Sequence, residues 1–264
     1  MRTFEEIIEA IPQKPYYLAL EYGQAIYYSD CRLVLPHIPD KSIDLVLTDP
    51  PYNAGIDYGL YKDNLPEVEY IELLSWLVSE ATRISHGILV FAGTGNLFLY
   101  PKPRFTLVWL KRNGKNRAGN IIHNCFEPLV YYGRSVSLFS DVYDFPIVFQ
   151  KDEVKHPTPK PPKLCLKLVA DFSKEGEVIL DPFLGSGTTL VCAKKLGRKC
   201  IGIEVELKYC RIAAERCAQA VLPLESEQVK QGQGTSESLM FSGMASPTKR
   251  NEIRIGGRNE RICR

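Results

Sequence analysis

Glu177-Val178-Ile179-Leu180-Asp181-Pro182-Phe183-Leu184-Gly185-Ser186-Gly187-Thr188-Thr189-Leu190 reads as a strand, a glycine-containing corner and the start of a helix. Val178 to Leu180 is a short apolar run of the kind a buried strand requires. Gly185 and Gly187 let the backbone turn and let a ligand approach without meeting a Cβ. The N–H groups of a helix beginning near Thr188 point at a polar or anionic ligand. A lone Gly-x-Gly occurs in many strand–helix turns, and the residues downstream strengthen it here. Leu190 to Leu196 reads as a helix, Gly197-Arg198-Lys199 as a turn, and Cys200 to Val205 as a second strand. Glu204 stands at its end, about 20 residues beyond the glycines, where an acid can take a ribose hydroxyl pair. The plainer reading of Glu204 is an N-cap or a surface acid. Strand, helix and strand in this order predict an α/β fold with a mostly parallel sheet.

A second strand end lies upstream, in Ser42-Ile43-Asp44-Leu45-Val46-Leu47-Thr48-Asp49-Pro50-Pro51-Tyr52-Asn53. The apolar run Ile43 to Leu47, broken by Asp44, predicts a buried strand. Pro50 and Pro51 have nearly fixed φ and no N–H, and each holds the residue before it out of the helical region. The result is a stiff corner carrying a carboxylate (Asp49), two aimed carbonyls and an aromatic ring (Tyr52). An exocyclic amine on an aromatic base is a poor nucleophile because its lone pair is delocalised into the ring. Asp49 and the Pro50 carbonyl can accept both of its hydrogen bonds and localise that lone pair, while Tyr52 stacks on the base at ~1–3 kcal/mol per base. An ordinary strand-ending turn with an exposed Tyr is the competing reading.

Composition narrows the classes. A chain of 264 residues, 45% hydrophobic, buries a sizeable core, and the expected organisation is a domain over residues 1–222 followed by a flexible, basic tail over 223–264. That tail either adds salt-sensitive affinity for a polyanion or has no role. The formal charge is only +2, so nucleic-acid binding must come from local basic patches. The eight cysteines are scattered, without Cys-x-x-Cys pairs or metal-ligand spacing with histidine, and read as reduced and mostly buried. No metal is expected. No apolar run suits a signal core or a membrane span, so the expected location is the cytoplasm.

In chain order, Glu5 to Ala10 predicts a short helix, Gln24 to Asp30 a strand, and Cys31 to Leu35 a short helix with Asp30 as N-cap. Asp30 is also placed to accept a hydrogen bond at a strand's carboxyl end, and the two roles are compatible. Asn53 to Asn64 reads as a loop long enough to cover a site. Val68 to Ile84 has helical spacing; Ile88 to Gly93, Phe105 to Leu110 and Glu127 to Tyr132 read as strands; Leu164 to Phe172 and Tyr209 to Ala220 read as helices. The basic loop Lys111 to Arg117 is either a solvated hairpin loop or a set of phosphate contacts made by Lys111, Arg112, Lys115 and Arg117. Residues 134–163 show no periodicity.

Together Thr48 to Asn53, Trp109 with Lys111 and Asn113, Glu127 to Gly133, His156 to Pro161, Asp181 to Thr189 and Gly202 to Glu204 resemble the amino-group DNA methyltransferases that use S-adenosylmethionine. The order, with the Asp-Pro-Pro-Tyr motif before the glycine motif, is that of their permuted (beta-type) branch, and the likeness spans about residues 22–218. The resemblance implies a Rossmann-like class I methyltransferase fold: a seven-stranded, mostly parallel sheet with helices on both faces. It also implies a short inserted target-recognition segment, 134–156. Phe183, Gly185, Ser186, Gly187 and Thr188 would wrap the cofactor with Asp181 near its ammonium group, Glu204 on its ribose and Asp30 by its adenine amine. Thr158 and Lys160 would approach its carboxylate, although Pro159 stands where the family often has a polar residue. Asp49, Pro50, Pro51 and Tyr52 would be catalytic on a base flipped out of double-stranded DNA. Asp before the two prolines mostly accompanies adenine N6 and Ser cytosine N4, so adenine is the expected target and cytosine the alternative. A homodimer and a cognate restriction enzyme are compatible with the family. The competing classes are an RNA adenine methyltransferase, a glutamine-amide methyltransferase (which usually has Asn at position 49), and a non-catalytic nucleic-acid-binding relative. A dinucleotide-dependent dehydrogenase is disfavoured because Leu190 occupies the third glycine position of its fingerprint.

Overall fold

The computed structural model describes residues 2–56, 63–112, 124–134, 140–147 and 160–219. All of them lie in one compact unit, Met1–Pro223. Thr3 and Glu6 close a reciprocal capping box that starts helix α1 (Phe4–Ala10). Strands β1 (Tyr17–Ala19) and β2 (Gln24–Tyr28) follow, then α2 (Cys31–Val34), β3 (Leu45–Thr48), α3 (Glu67–Ile84), β4 (Gly87–Phe91), β5 (Phe105–Leu110), β6 (Phe126–Gly133) and β7 (Val142–Asp144). The chain continues with α4 (Pro162–Phe172), β8 (Val178–Asp181), α5 (Thr188–Lys195), β9 (Lys199–Glu204) and α6 (Leu207–Ala218).

The strands form one sheet in the order β1-β2-β9-β8-β3-β4-β6-β5-β7. From β2 to β4 all neighbours are parallel, and β6 runs antiparallel between β4 and β5. The seven strands β2-β9-β8-β3-β4-β6-β5 are the expected sheet. Two three-residue edge strands, β1 antiparallel and β7 parallel to its neighbour, extend it to nine among the described residues. Strand β7 falls in the stretch that showed no periodicity, because three residues are too few for a period of two to emerge.

The alternation of side chains along each strand divides the core. Val46, Ile88, Val90, Leu180 and Ile203 pack on the face covered by α1, α2 and α3. Leu45, Leu47, Leu89, Ile179 and Cys200 pack on the face covered by α4, α5 and α6. Six of the cysteines are buried and Cys125 is exposed. No helix of the described residues is long and apolar enough to cross a membrane.

Two expected boundaries shift and one holds. The strand Gln24 to Asp30 stops at Tyr28, because Asp30 turns the chain and its carboxylate accepts from Arg32 N at 2.9 Å to cap α2. Helix α5 begins at Thr188, as the glycine corner predicts, with Gly187 at its N-cap. Strand β3 starts at Leu45, with Ile43 held only by an isolated bridge to Ser85.

Asp44, the one break in that apolar run, fixes the pairing of β3 with β8. Its carboxylate accepts from Val178 N at 2.9 Å, and its own N–H donates to Val178 O at 2.9 Å. Asp44→Ala leaves a buried N–H without a partner. It should lower unfolding free energy by about 1–3 kcal/mol in denaturant titration, with the slope unchanged.

Candidate active site

Strand order reverses between β8 and β3, the place where open parallel sheets bind ligands beyond the strands' carboxyl ends. The pairing Leu45 with Ile179 and Val46 with Leu180 sets the two corners side by side. Thr48 Oγ1 donates to Asp181 Oδ1 at 2.8 Å, tying one corner to the other.

At the first corner the Tyr52 hydroxyl lies 2.6 Å from Asp49 Oδ1 and 2.7 Å from Glu127 Oε1. A phenol has one proton, so it donates to one carboxylate at a time. Lys160 Nζ donates to Asp49 Oδ2 at 2.6 Å and sits 3.2 Å from Glu127 Oε1. Lys111 Nζ lies 3.1 Å from Glu127 Oε2. Two lysines thus balance two carboxylates. Burial raises the Asp49 carboxyl above its ordinary range, and Glu127 pushes the same way while Lys160 opposes. Burial also acts to raise Glu127, but Lys160 and Lys111 outweigh it and leave that carboxyl below its ordinary value. Lys160 is raised despite its burial, because Asp49 and Glu127 both favour the ammonium.

The corner is braced from outside. The Pro51 carbonyl accepts from the Tyr70 hydroxyl at 2.9 Å, and Tyr52 O accepts from Asn96 Nδ2 at 2.8 Å. Gly93, at φ +66°, gives the Tyr52 ring its room: a Cβ there would lie 3.2 Å from it. The neck of the loop from Asn53 to Asn64 is closed by Asp63, whose carboxylate accepts from the N–H groups of Asn53, Ala54 and Ile56 at 2.6, 3.0 and 3.2 Å. Residues 57–62 of that loop lie outside the described residues.

At the second corner Asp181 Oδ1 also accepts from Phe183 N at 3.1 Å, and burial raises its carboxyl to about 6. Glu204 Oε2 accepts from Gly185 N at 2.7 Å and Oε1 from Glu206 N at 2.8 Å. Burial lifts Glu204 to about 7. Gly187 has φ +84°, and a Cβ on it would lie 2.7 Å from Ala213 Cβ, so only glycine lets α5 meet α6 at this distance. Ser186 is held through its carbonyl and hydroxyl by Arg216.

Both corners open into one cavity of about 540 Å³. Of the residues singled out in the sequence, Asp30, Asp49, Pro51, Lys160, Asp181, Phe183, Gly185, Ser186, Thr188 and Glu204 line it. Leu73 and Trp76 of α3, not singled out as site residues in the sequence, form a wall of it. Pro50 is buried beside it and Tyr52 half-buried. The Asp30 carboxylate is paired with Arg32 at 2.6 Å.

Lys111 departs from its expected role as a phosphate contact. It is 7% exposed, its ammonium is engaged by Glu127 and lies 5.3 Å from the Trp109 ring, and no surface is left to it. Lys160 departs from a free approach to a carboxylate ligand, since Asp49 already engages its ammonium. Arg112 is exposed and bonded to Asp144 at 2.5 Å. Thr158, Lys115 and Arg117 lie outside the described residues. Glu127, Asp63 and Asn96 were missed as site residues. Among the described residues no His, Cys, Asp or Glu group is arranged to hold a metal.

A half-buried carboxylate able to accept from an amine thus shares a chamber with a glycine corner and an acid placed for a ribose. The family model for N6/N4-type DNA methylases matches residues 104–215. The type II methyltransferase M.HpaI of Haemophilus parainfluenzae is 32% identical, over 73% of this chain and 74% of its own length. The chain belongs to the N6/N4 DNA methylase family. Among solved structures, the cytosine-N4-specific PvuII DNA methyltransferase superposes on this methylase with a TM-score of 0.63 at 18% identity, covering 80% of this chain and 92% of its own. M1.HpyAVI in complex with SAM does so with a TM-score of 0.58 at 21% identity, covering 74% and 100%. At these identities both likenesses speak to the fold.

The raised Glu204 of the methylase makes a signed prediction. A carboxyl that is protonated more readily when folded (about 7 against 4.5) favours folding at low pH. That advantage fades as pH rises from 4.5 to 7. The stability of wild type relative to Glu204→Gln should therefore fall across that window, by up to about 3 kcal/mol, in denaturant titrations at several pH values.

Proposed function

We propose that this DNA methylase moves a methyl group from S-adenosylmethionine to the exocyclic N6 of adenine, by direct in-line transfer to a base flipped out of duplex DNA. The observation that carries this reading is the shared cavity, in which the Asp49 corner and the glycine corner meet across β3 and β8.

The residues fit the cofactor. A cavity of about 540 Å³ is in the range of small-molecule sites. Gly185, on the cavity wall and without a Cβ, leaves room for close approach, Gly187 serves the packing of α5 on α6, and each Glu204 oxygen keeps a lone pair free for a ribose hydroxyl beside its backbone bond. When bound, S-adenosylmethionine supplies a methyl group activated by its sulfonium charge. The protein does the rest by placement. Asp49 and the Pro50 carbonyl take the two N–H bonds of the amine and localise the nitrogen lone pair. Tyr52, pinned through its hydroxyl, offers its ring to the base. Pro51, Leu73, Trp76 and Phe91 line a largely apolar chamber that limits water. The nitrogen is itself the nucleophile: its bond to the methyl carbon would form as the methyl–sulfur bond breaks, the neutral thioether S-adenosylhomocysteine would leave, and the surplus amine proton would pass along the hydrogen bond to Asp49 and on to solvent, so no covalent bond to the protein is formed.

Adenine is favoured over cytosine because Asp, not Ser, precedes the two prolines. Arg112, with Lys115 and Arg117, supplies the phosphate contacts, and residues 134–156 read the target sequence. A cognate restriction enzyme fits the type II relatives.

The test is transfer of labelled methyl from S-adenosylmethionine to unmethylated duplex DNA, with nucleoside analysis of the product. Wild type should yield N6-methyladenine, and Asp49→Ala should be slower by about 10²–10⁴-fold. N4-methylcytosine would reassign the base and keep the mechanism. Cofactor binding without labelled DNA would overturn the DNA reading.

A further inference from the structure

The proposed reaction leaves one arrangement unused. Asp49 is to accept a hydrogen bond from the target amine, yet in this structure its Oδ2 is engaged by Lys160 at 2.6 Å and its Oδ1 by Tyr52 at 2.6 Å. An ammonium bonds a carboxylate more strongly than a neutral amine does. Lys160 therefore competes with the substrate for the acceptor on which the chemistry depends.

Glu127 resolves the competition. It lies on β6 opposite Trp109 of β5, two residues before the Phe91–Leu129 pair that ends the β4 ladder, and is held at Oε2 by Lys111. Its Oε1 is already 3.2 Å from Lys160 Nζ. The Tyr52 hydroxyl, between the two carboxylates, can follow by changing the one to which it donates. Lys160 itself has a four-carbon stem, and the rings of Phe91 and Tyr52 flank its ammonium at 4.9 and 5.2 Å from their centroids. Two fixed carboxylates and one movable ammonium make a two-position element. Without a second carboxylate, an ammonium leaving Asp49 would be a lone buried charge, which costs several kcal/mol.

We propose that Glu127 and Lys160 are positioning residues that form a hand-off: Lys160 guards Asp49 in the empty enzyme, and the arriving amine displaces it onto Glu127. This rests on the reading of Asp49 as the amine acceptor. It keeps Asp49 ionised in an apolar chamber until substrate arrives, and it conserves the charge balance of two lysines and two carboxylates throughout. The charged and titratable groups around Asp49 are Lys160, Glu127 and Tyr52, with Asp181, Cys165 and Tyr100 farther off.

The experiment is single-turnover transfer of labelled methyl to unmethylated duplex DNA between pH 5 and 9, with S-adenosylmethionine affinity measured by calorimetry. Wild-type transfer is scored first, so that failure of the methyltransferase reading is seen separately. Glu127→Gln removes the resting place and clamps Lys160 on Asp49. It should lower kcat/KM for DNA by at least about tenfold, and Glu127→Asp should recover much of the loss. Lys160→Gln removes the cation that favours the Asp49 carboxylate. The acid limb of the profile should then move up by about 1–3 pH units. Cofactor affinity should stay within about threefold, as for a side chain not used in holding it. The double variant should exceed Glu127→Gln alone at pH 8 to 9, because no ammonium is left to block Asp49. Wild-type behaviour of Glu127→Gln would overturn the proposal. An unmoved acid limb with lost cofactor affinity in Lys160→Gln would also overturn it, by returning Lys160 to the cofactor. If Glu127→Gln fails to fold, the Lys160→Gln profile decides by itself.

Discussion

A carboxylate inside an apolar chamber is unstable unless something compensates it, and that constraint organises the methylase around Asp49. Burial alone would favour the protonated acid, which cannot accept both a hydrogen bond and the developing positive charge of an amine. Lys160 supplies the opposing charge at 2.6 Å, and Glu127 and Lys111 extend the pair into a balanced quartet. The quartet draws on the β3 corner, β6, the end of β5 and the approach to α4. Elements distant in sequence are therefore held to one another by their shared dependence on that charge balance.

The second constraint is strand order. Because β8 lies beside β3, two corners that are each ordinary strand endings become opposite walls of one chamber. The Thr48–Asp181 bond locks that juxtaposition at the carboxyl ends, and Asp44 locks it at the amino ends. The site is thus carried by two strands buried along their whole length, while the loops around it add cover and contacts. Buried acids recur here: Glu204 and Asp181 are both raised by burial, a cost in folding accepted where a polar ligand is to be met.

Much of this was legible in the sequence, and for a local reason. Asp49-Pro50-Pro51-Tyr52 and Gly185-Ser186-Gly187 write their backbone conformation into adjacent residues, so each corner can be read without knowing its neighbours. The α/β class follows from the same local alternation. Glu127 could not be read that way: its partners stand 16 and 33 positions away, and a Glu in a strand pattern carries no mark of burial. Lys111 reads as the start of a basic loop, whereas the register of β5 on β6 brings it to the interior side, beside Trp109 and against Glu127. Asp44 looked like a blemish in an apolar run and is a cap for the neighbouring strand, a role that exists only once the strands are paired.

The central claim is that the glycine corner and the Asp49 corner hold the two ends of one transfer. It is tested most directly by a crystal structure with S-adenosylhomocysteine bound. The account predicts the ribose at Glu204 and the sulfur turned across the cavity toward Asp49. An adenosine end lying beside Asp49, or a ligand seated outside the shared cavity, would contradict it.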